Sequence, residues 1–151
     1  MFVESGTFHG KTTRWAWDRF AVVHTIELSP SLYRAAVEHL APMGILCHHG
    51  DSRDVVPTLA SEITERAVWF LDAHWLNNPE AAGNGTPLPL QDELAALAAR
   101  PYADTILVDD VASFGHEEYQ AGWGQVSLDW IAGFFPDAKV SKVVDSVVVQ
   151  R

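Results

Sequence analysis

The chain has 151 residues, of which 48% are hydrophobic and 20% are charged, and its formal net charge is −10. This length suits one domain, residues 1–151, with its own core. The acidic balance argues against nucleic acid as a partner, because a phosphate backbone is bound by a basic face. No apolar run approaches the roughly 20 residues that span a bilayer, and the N-terminus lacks the basic and apolar regions of a secretory signal, so we expect no membrane contact.

The single cysteine, Cys47, lies in an apolar run and cannot form an internal disulfide. We interpret it as a buried thiol in a reducing compartment, which predicts a cytoplasmic protein. Six tryptophans are many for this length. We expect Trp15 and Trp17 in a core helix, whereas Trp75 and Trp123 fall near loops where they can line a pocket.

The first predicted strand is short and ends in an acid. Phe2–Glu4 forms this strand, Gly6 and Gly10 then turn the chain, and Thr12–Phe20 has the pattern of a helix. Glycines let the backbone approach a ligand, and a helix N-terminus offers free N–H groups. This order of elements is typical of a site for a nucleotide-bearing cofactor.

A second strand, Ala21–Leu28, also ends near an acid, Glu27, which can accept hydrogen bonds from ribose hydroxyls. Ser29 and Pro30 mark the next helix as its N-cap and first residue. Apolar residues at a spacing of four mark one face of that helix: Leu32, Ala36 and Leu40.

The rest of the chain continues the alternation of strands and helices. Further strands are predicted at Met43–His48, Ala67–Leu71, Thr105–Val108, Val140–Val144 and Ser146–Gln150. Helices are predicted through Val55 and Leu59, through Leu90, Leu94 and Leu97, and over Val126–Phe135. The last two strands can form an antiparallel hairpin around Asp145, and long loops are predicted at Asn77–Pro89 and Ser113–Gly124. Such an α/β alternation predicts a mostly parallel sheet covered by helices on both faces.

Acidic residues recur where the predicted strands end. They are Glu4, Glu27, Asp51, Asp72, Asp109 and Asp110. Ligands of such sheets bind beyond the carboxyl ends of the strands, so we expect these acids to surround one crevice.

Three interpretations compete for the first loop. Gly10-Lys11-Thr12 resembles the end of a phosphate-binding loop, but Gly6 precedes Gly10 by three intervening residues instead of four. A dinucleotide-binding loop requires a closely spaced glycine pair that is missing here. S-adenosylmethionine has no phosphate and needs no full glycine cradle, and Glu4 and Gly6 are placed to hold its amino-acid end.

Five segments carry a resemblance to a known family. They are Glu4-Ser5-Gly6-Thr7-Phe8-His9-Gly10, Ile26-Glu27-Leu28, Gly50-Asp51-Ser52, Phe70-Leu71-Asp72-Ala73-His74-Trp75 and Leu107-Val108-Asp109-Asp110-Val111. In this order they resemble the motifs of class I S-adenosylmethionine-dependent methyltransferases. The resemblance implies a Rossmann-like, mostly parallel seven-stranded sheet with helices on both faces and its last strand antiparallel. It also implies cofactor contacts from Glu4, Ser5, Gly6, Thr7, Gly10, Thr12, Glu27, Leu28, Asp51, Ser52 and Asp72.

The last two of these motifs resemble those of metal-dependent catechol-type O-methyltransferases. That closer resemblance implies a magnesium ion held by Asp72, Asp109 and Asp110, and O-methylation of a small-molecule acceptor. A hard divalent cation takes carboxylate oxygens and lowers the pKa of a bound hydroxyl, which readies that hydroxyl to attack a methyl group.

The chain also departs from the catechol-type pattern. It begins at the first predicted strand, so the helices that cap the cofactor in that family are absent, and a second copy could supply the cover as a homodimer. The lysine expected after the fourth strand is missing, and His74 can replace it as the base, because an imidazole suits proton removal near neutral pH. The predicted catalytic residues are therefore His74 and Asp72.

Each assignment has a simpler alternative. Glu27 can be a solvated strand-end acid, Asp51 can serve only as a helix cap, Asp110 can point away from Asp109, and His74 can sit in a pocket wall. Two other functions also compete with methyl transfer. One is a cofactor-binding module that needs a partner subunit, and the other is an enzyme that cleaves or cyclises the cofactor itself.

Overall fold

A computed structural model describes residues 1–73, 88–117 and 122–151. Its strands are β1 (Phe2–Ser5), β2 (Val23–Glu27), β3 (Leu46–His49), β4 (Val68–Leu71), β5 (Thr105–Val108), β6 (Lys139–Val143) and β7 (Ser146–Gln150). Its α-helices are α1 (Lys11–Trp17), α2 (Pro30–Leu40), α3 (Ser52–Glu62), α4 (Leu90–Ala98) and α5 (Leu128–Ala132). None of the helices in these ranges combines the length and hydropathy needed to cross a membrane.

The strands form one seven-stranded sheet in the order β3-β2-β1-β4-β5-β7-β6. The neighbours among β1 to β5 pair in parallel, whereas β7 runs antiparallel to both β5 and β6. The predicted fold class is confirmed, as is the closing hairpin around Asp145. In the register, Ser5 pairs with Ile26 on one side and Leu71 on the other, so β1, β2 and β4 end at the same edge of the sheet.

Alternating residues of β1 and β2 face two separate layers of helices. On one face Val3 and Ile26 pack against side chains of α3, α4 and α5, among them Val56, Leu94 and Ile131. On the other face the core joins β1 and β2 to α1 and α2 through five buried side chains: Phe2, Val23, Ala16, Ala36 and Leu40. Val3 and Phe2 face opposite sides because successive side chains of a strand point to opposite faces of the sheet.

A buried ion pair stabilises the edge of the sheet opposite the strand ends. Arg100 donates from Nε to Asp104 Oδ2 at 2.7 Å and from Nη1 to the carbonyl oxygens of Ala60 and Ile63. Asp104 Oδ1 accepts from Ala67 N at 2.9 Å. Arg100 therefore binds the last carbonyls of α3, and Asp104 fixes the start of β4.

Several predicted elements differ from the observed ones. The first helix begins at Lys11 and ends at Trp17, and both of its tryptophans lie at the surface, with Trp15 50% and Trp17 44% exposed. The prediction that they belong to the core was wrong, since Thr13 and Ala16 form the buried face. Cys47 is only partly buried, because its strand, β3, is at the edge of the sheet.

Two further boundaries differ for local reasons. The predicted strand from Met43 instead begins at Leu46, because the residues before it form a short 3₁₀-helix that ends at Gly44, where φ is 86°. The last helix begins after Ser127, whose side chain caps it by accepting from Trp130 N at 3.1 Å. His74, Trp75 and most of the predicted loop at 77–89 lie outside the described residues.

Candidate cofactor and catalytic site

The loop after β1, residues 6–10, lies directly against the end of β4. Gly6 N and Thr7 N both donate to Ile26 O at 3.0 Å, which fixes the loop to β2. Gly6 has a φ of +88°, and a Cβ atom built there would lie 2.4 Å from Asp72 O. Because a side chain has no room and the conformation favours glycine, this residue is what allows the loop and Asp72 to meet. We call residues 6–10 the cofactor loop.

The cofactor loop continues into α1 through a tight turn. Gly10 N donates to Thr7 O at 2.8 Å, and Gly10 O accepts from Arg14 N at 3.1 Å. Phe8 has a φ of 46° and Gly10 a φ of 69°. A left-handed backbone at a bulky residue such as Phe8 is uncommon, so the surrounding contacts must hold the turn.

Glu27 joins the cofactor loop to the end of β2. Its Oε2 accepts from Phe8 N and its Oε1 accepts from Ser29 N, each at 2.8 Å. Burial raises the pKa of this carboxyl, and the backbone hydrogen bonds of Ser29, Phe8 and Leu28 offset part of the rise. Glu27 is therefore not a freely solvated acid, since it is only 6% exposed and the backbone fixes its orientation.

Glu4 lies beneath α1 instead of on the surface of the crevice. It is 1% exposed, and its Oε2 accepts from Thr25 Oγ1 at 2.7 Å and from Thr13 Oγ1. Burial raises its pKa to about 7, which the two threonine hydroxyls oppose. This carboxyl therefore anchors α1 to β2, and its contact with the amino-acid end of a cofactor stays a prediction.

Three acids from adjacent strands influence one another at this edge. The charges of Asp72 and of Glu27 each contribute to the raised pKa of Glu4. The ends of β2, β1 and β4 thus bring these acids close enough to influence one another, and a crevice shared by all the strand-end acids stays a prediction. Mutual repulsion of carboxylates is relieved by a positively charged ligand.

The segment after β3 uses its acid as a helix cap. Asp51 Oδ1 accepts from Arg53 N at 3.0 Å, and Asp51 Oδ2 forms an ion pair with Arg53 Nη2 at 2.8 Å. Partial burial opposes ionisation of Asp51, but the hydrogen bonds and charge of Arg53 outweigh it and lower the pKa. Ser52, the first residue of α3, is buried. The capping alternative is confirmed, and a contact of Asp51 or Ser52 with a cofactor stays a prediction.

The other predicted contact residues differ in their surroundings. Ser5 is buried at the end of β1, and its Oγ has no hydrogen-bond partner among the residues that the structure describes. Leu28 is half-buried beside Glu27. Thr12 lines a groove on the α1 side of the sheet, so its side chain is not directed solely at the strand ends.

The predicted magnesium ligands are not assembled in this structure. Among the described residues, which include Asp72, Asp109 and Asp110, no three His, Cys, Asp or Glu side chains are grouped so that they could hold a metal ion. Asp109 Oδ1 instead accepts from Ser146 Oγ of β7 at 2.8 Å. Asp110 has a left-handed backbone with a φ of 57°, which redirects the chain immediately after β5. These residues do not fit a magnesium ion as arranged.

Sequence reasoning missed one acid beside this site. Glu93 of α4 is 1% exposed and lines a small crevice with Ala73, Asp109 and Trp123 at the ends of β4 and β5. Its position three residues after Leu90 places it on the apolar face of α4. A charged residue on a buried face was the signal that could have identified it.

Comparison with known proteins gives matches only among solved structures. No protein-family model matches the chain, and no curated protein matches it. Human methyltransferase-like protein 13 in complex with SAH aligns with a TM-score of 0.62 and 17% identity, over 99% of this chain and 70% of that one. The 23S rRNA methyltransferase ErmE aligns with a TM-score of 0.55 and 17% identity, over 99% and 59%. CalS10, an amino pentose methyltransferase from Micromonospora echinaspora, aligns with a TM-score of 0.51 and 18% identity, over 72% and 41%.

At this level of identity the likeness shows the fold. The chain has the Rossmann-like fold of S-adenosylmethionine-dependent methyltransferases, and it spans 41% of the length of CalS10 and 59% of that of ErmE. The closer resemblance to catechol-type enzymes is not shown by these structures, whose names cover sugar and rRNA methylation.

Proposed function

We propose that this chain binds S-adenosylmethionine and transfers its methyl group to a small molecule. One observation carries the proposal. The cofactor loop, the carboxylate of Glu27 and the end of β4 are held together at the carboxyl edge of the sheet, with Phe8 N 2.8 Å from Glu27 Oε2 and no room for a side chain between Gly6 and Asp72. This edge is where sheets of this class bind ligands.

The residues present fit such a cofactor. Glu27 accepts backbone hydrogen bonds from Phe8, Ser29 and Leu28, and a carboxylate has about four acceptor positions, so capacity remains for a ribose hydroxyl. The acids Glu4, Glu27 and Asp72 favour a ligand with a sulfonium and an ammonium charge. The cofactor loop has no glycine cradle for phosphate, which this cofactor does not require.

When bound, the cofactor supplies a methyl group on a positively charged sulfur. In our proposal the chain orients both reactants and accepts a proton, as alignment is a large part of such a reaction. Glu27 would hold the sugar of the cofactor. Asp72 or His74 would accept the proton of an acceptor hydroxyl as the oxygen of that hydroxyl takes the methyl group, in an O-methylation. No step is assigned to magnesium, because the three acids are not grouped for it.

A small-molecule acceptor suits the charge of the chain better than RNA. Acidic residues outnumber basic ones by 20 to 10, and an RNA backbone requires a basic face. Glu93 and Asp109, which line the crevice at β4 and β5, favour an acceptor that donates hydrogen bonds. A single, partly buried cysteine supports the cytoplasm as the location.

Calorimetric titration with S-adenosylmethionine tests the cofactor assignment. We expect Glu27→Ala to weaken binding at least about tenfold, since it removes a charge-assisted hydrogen bond to a ribose hydroxyl. The matched control is Glu38→Ala, an exposed acid on α2, which should leave the affinity unchanged. Equal affinities of the Glu27→Ala variant and the wild type would refute the assignment.

Turnover distinguishes methyl transfer from its alternatives. Incubation with the cofactor and a panel of phenols, amines and acids should yield S-adenosylhomocysteine, with the rate reduced in Asp72→Asn. Breakdown to methylthioadenosine without an acceptor would identify a cofactor-cleaving enzyme. Tight binding without either product would favour a binding module that needs a partner chain.

A further inference from the structure

A chain of buried hydroxyls connects the carboxyl of Glu4 to the cofactor loop. Thr25 Oγ1 donates to Glu4 Oε2 at 2.7 Å, and it also lies 2.7 Å from Thr7 Oγ1. Because a hydroxyl has one hydrogen and Thr25 gives its hydrogen to Glu4, Thr7 has to donate in the second contact. None of the three residues is more than 3% exposed. Two consecutive hydrogen bonds, shielded from solvent, therefore link Thr7 of the cofactor loop to Glu4.

The direction of these hydrogen bonds depends on whether Glu4 is ionised. Its Oε2 also accepts from Thr13 Oγ1 of α1, and two donating hydroxyls stabilise a carboxylate. A proton on Oε2 would point at one of the two hydroxyls, which would then have to turn its own hydrogen elsewhere. The ionised form therefore favours a single direction along the whole chain of hydroxyls, from Thr7 to Glu4.

Four groups from three elements act on the carboxyl of Glu4, and none of these four is positively charged. They are the hydroxyls of Thr13 on α1 and Thr25 on β2, the carboxyl of Glu27 at the end of β2, and the carboxyl of Asp72 after β4. Burial raises the pKa of Glu4 to about 7, and the charges of Asp72 and Glu27 add to the rise. Glu4 is therefore about half protonated at pH 7.

A cationic ligand at the cofactor loop would reverse this balance of charge. S-adenosylmethionine has a sulfonium and an ammonium group against one carboxylate, so it carries a net positive charge. A positive charge nearby favours the ionised form of a carboxyl, whereas the charges of Asp72 and Glu27 disfavour it. S-adenosylhomocysteine lacks the sulfonium charge and is neutral overall. The two ligands should therefore differ in their effect on Glu4.

We propose that Glu4 releases its proton to the solvent when the cationic cofactor binds, and that the resulting carboxylate holds the cofactor loop through Thr25 and Thr7. The O–H bond of the carboxyl breaks, its electron pair stays on the carboxylate, and the proton passes to the buffer. This inference rests on the proposed cofactor site and adds a regulation to it. Affinity for S-adenosylmethionine should rise with pH, because at low pH the binding of the cofactor has to ionise Glu4.

Calorimetric titration in two buffers with different enthalpies of ionisation measures the released proton. At pH 7 the wild-type chain should release up to about half a proton for each S-adenosylmethionine bound, since about half of the Glu4 carboxyls are protonated before binding. S-adenosylhomocysteine should release fewer protons at the same pH. The affinity of the wild type for S-adenosylmethionine should rise about fivefold to tenfold between pH 6 and pH 8.

Glu4→Gln removes the titrating group and keeps a side chain of similar shape. It should lose most of the proton release and most of the rise in affinity with pH. The amino group of the ligand titrates with both proteins, so the difference between them isolates Glu4. The matched control is Glu38→Gln, an exposed acid on α2, which should release as many protons as the wild type. Circular dichroism checks that both variants are folded.

Failure of this inference and failure of the proposed function give different results. Absence of any binding heat across the pH range would refute the cofactor site and the inference together. Binding with the same heat in both buffers at pH 6 to 7 would leave the cofactor site in place and refute the inference alone. Equal proton release by the wild type and Glu4→Gln would assign the proton to another acid. Equal release with the two ligands, which requires no variant, would also overturn the proposal.

Discussion

At the scale of single residues, the candidate cofactor site depends on how Glu4 and Gly6 are packed. Glu4 is buried and bound by hydroxyls of α1 and β2, and Gly6 admits no side chain against Asp72. The sequence predicted both as contact residues from their place after the first strand. It could not show that the carboxyl of Glu4 turns inward, because that depends on threonines 9 and 21 residues further along the chain.

The buried carboxyl of Glu4 predicts a pH dependence of stability. Its pKa rises from 4.5 to about 7 in the folded protein, so folding favours the protonated form. Its contribution is complete below pH 4.5 and is lost as the pH rises through 7. Glu4→Gln keeps an acceptor for the threonines without the charge. We therefore expect the stability of Glu4→Gln relative to wild type to increase by up to about 3 kcal/mol between pH 5 and pH 8.

Urea unfolding of both proteins across this range measures the effect. Both proteins contain His24, so its contribution to the pH dependence cancels in the comparison. Burial lowers the pKa of His24 from 6.5 to about 4. That histidine acts in the opposite direction, since its contribution is present above pH 6.5 and is lost as the pH falls. A difference between the two proteins that does not change with pH would contradict the assignment to Glu4.

Gly6 and Gly44 form a matched pair for the close approach to Asp72. Both have a positive φ, but a Cβ at Gly44 would meet nothing within 4 Å. Gly44→Ala should therefore cost only the left-handed backbone, about 1–2 kcal/mol. Gly6→Ala should lose more stability and also the affinity for S-adenosylmethionine, measured by thermal unfolding and calorimetry. Equal losses in the two variants would show that the contact with Asp72 is unimportant.

At the scale of elements, the sequence predicted strands better than helices. The apolar run Thr105–Val108 matches β5 in full, and the closing hairpin pairs as expected. The first helix was misjudged because its tryptophans were taken as core residues, whereas Thr13 and Ala16 form the buried face and Trp15 is 50% exposed. Which face of a helix is buried depends on how the layers assemble, so a count of aromatic residues does not reveal it.

The buried ion pair of Arg100 and Asp104 should stabilise the edge of the sheet that lies opposite the carboxyl ends of the strands. Arg100→Met would leave the buried carboxylate of Asp104 without its cation, which should destabilise the chain by about 3–5 kcal/mol. Adding Asp104→Asn should recover part of this loss, because the remaining amide carries no charge. Chemical denaturation of the two single variants and the double variant forms a complete cycle. A loss below about 1 kcal/mol in Arg100→Met would contradict a role for the pair in stability.

At the scale of the whole molecule, the order of the predicted strands and helices along the chain predicted the architecture. It also predicted that several strands end at the same edge of the sheet. Parallel pairing places the ends of β1, β2 and β4 together, so Glu27 and Asp72 converge with the cofactor loop as expected. The magnesium site could not be predicted from the order of the strands in the same way. Three acids at strand ends form a metal site only if their side chains turn inward together, and the left-handed backbone at Asp110 with the bond from Ser146 to Asp109 gives another arrangement.

Amide hydrogen exchange with and without S-adenosylhomocysteine tests the central claim most directly, because it locates the ligand as well as detecting it. The account predicts slower exchange in residues 5–10 and 27–29, where Phe8 N and Ser29 N bind the carboxylate of Glu27, and unchanged exchange in the β6–β7 hairpin. Protection confined to another part of the sheet, or no protection at a saturating concentration of the ligand, would contradict a cofactor site at the end of β2.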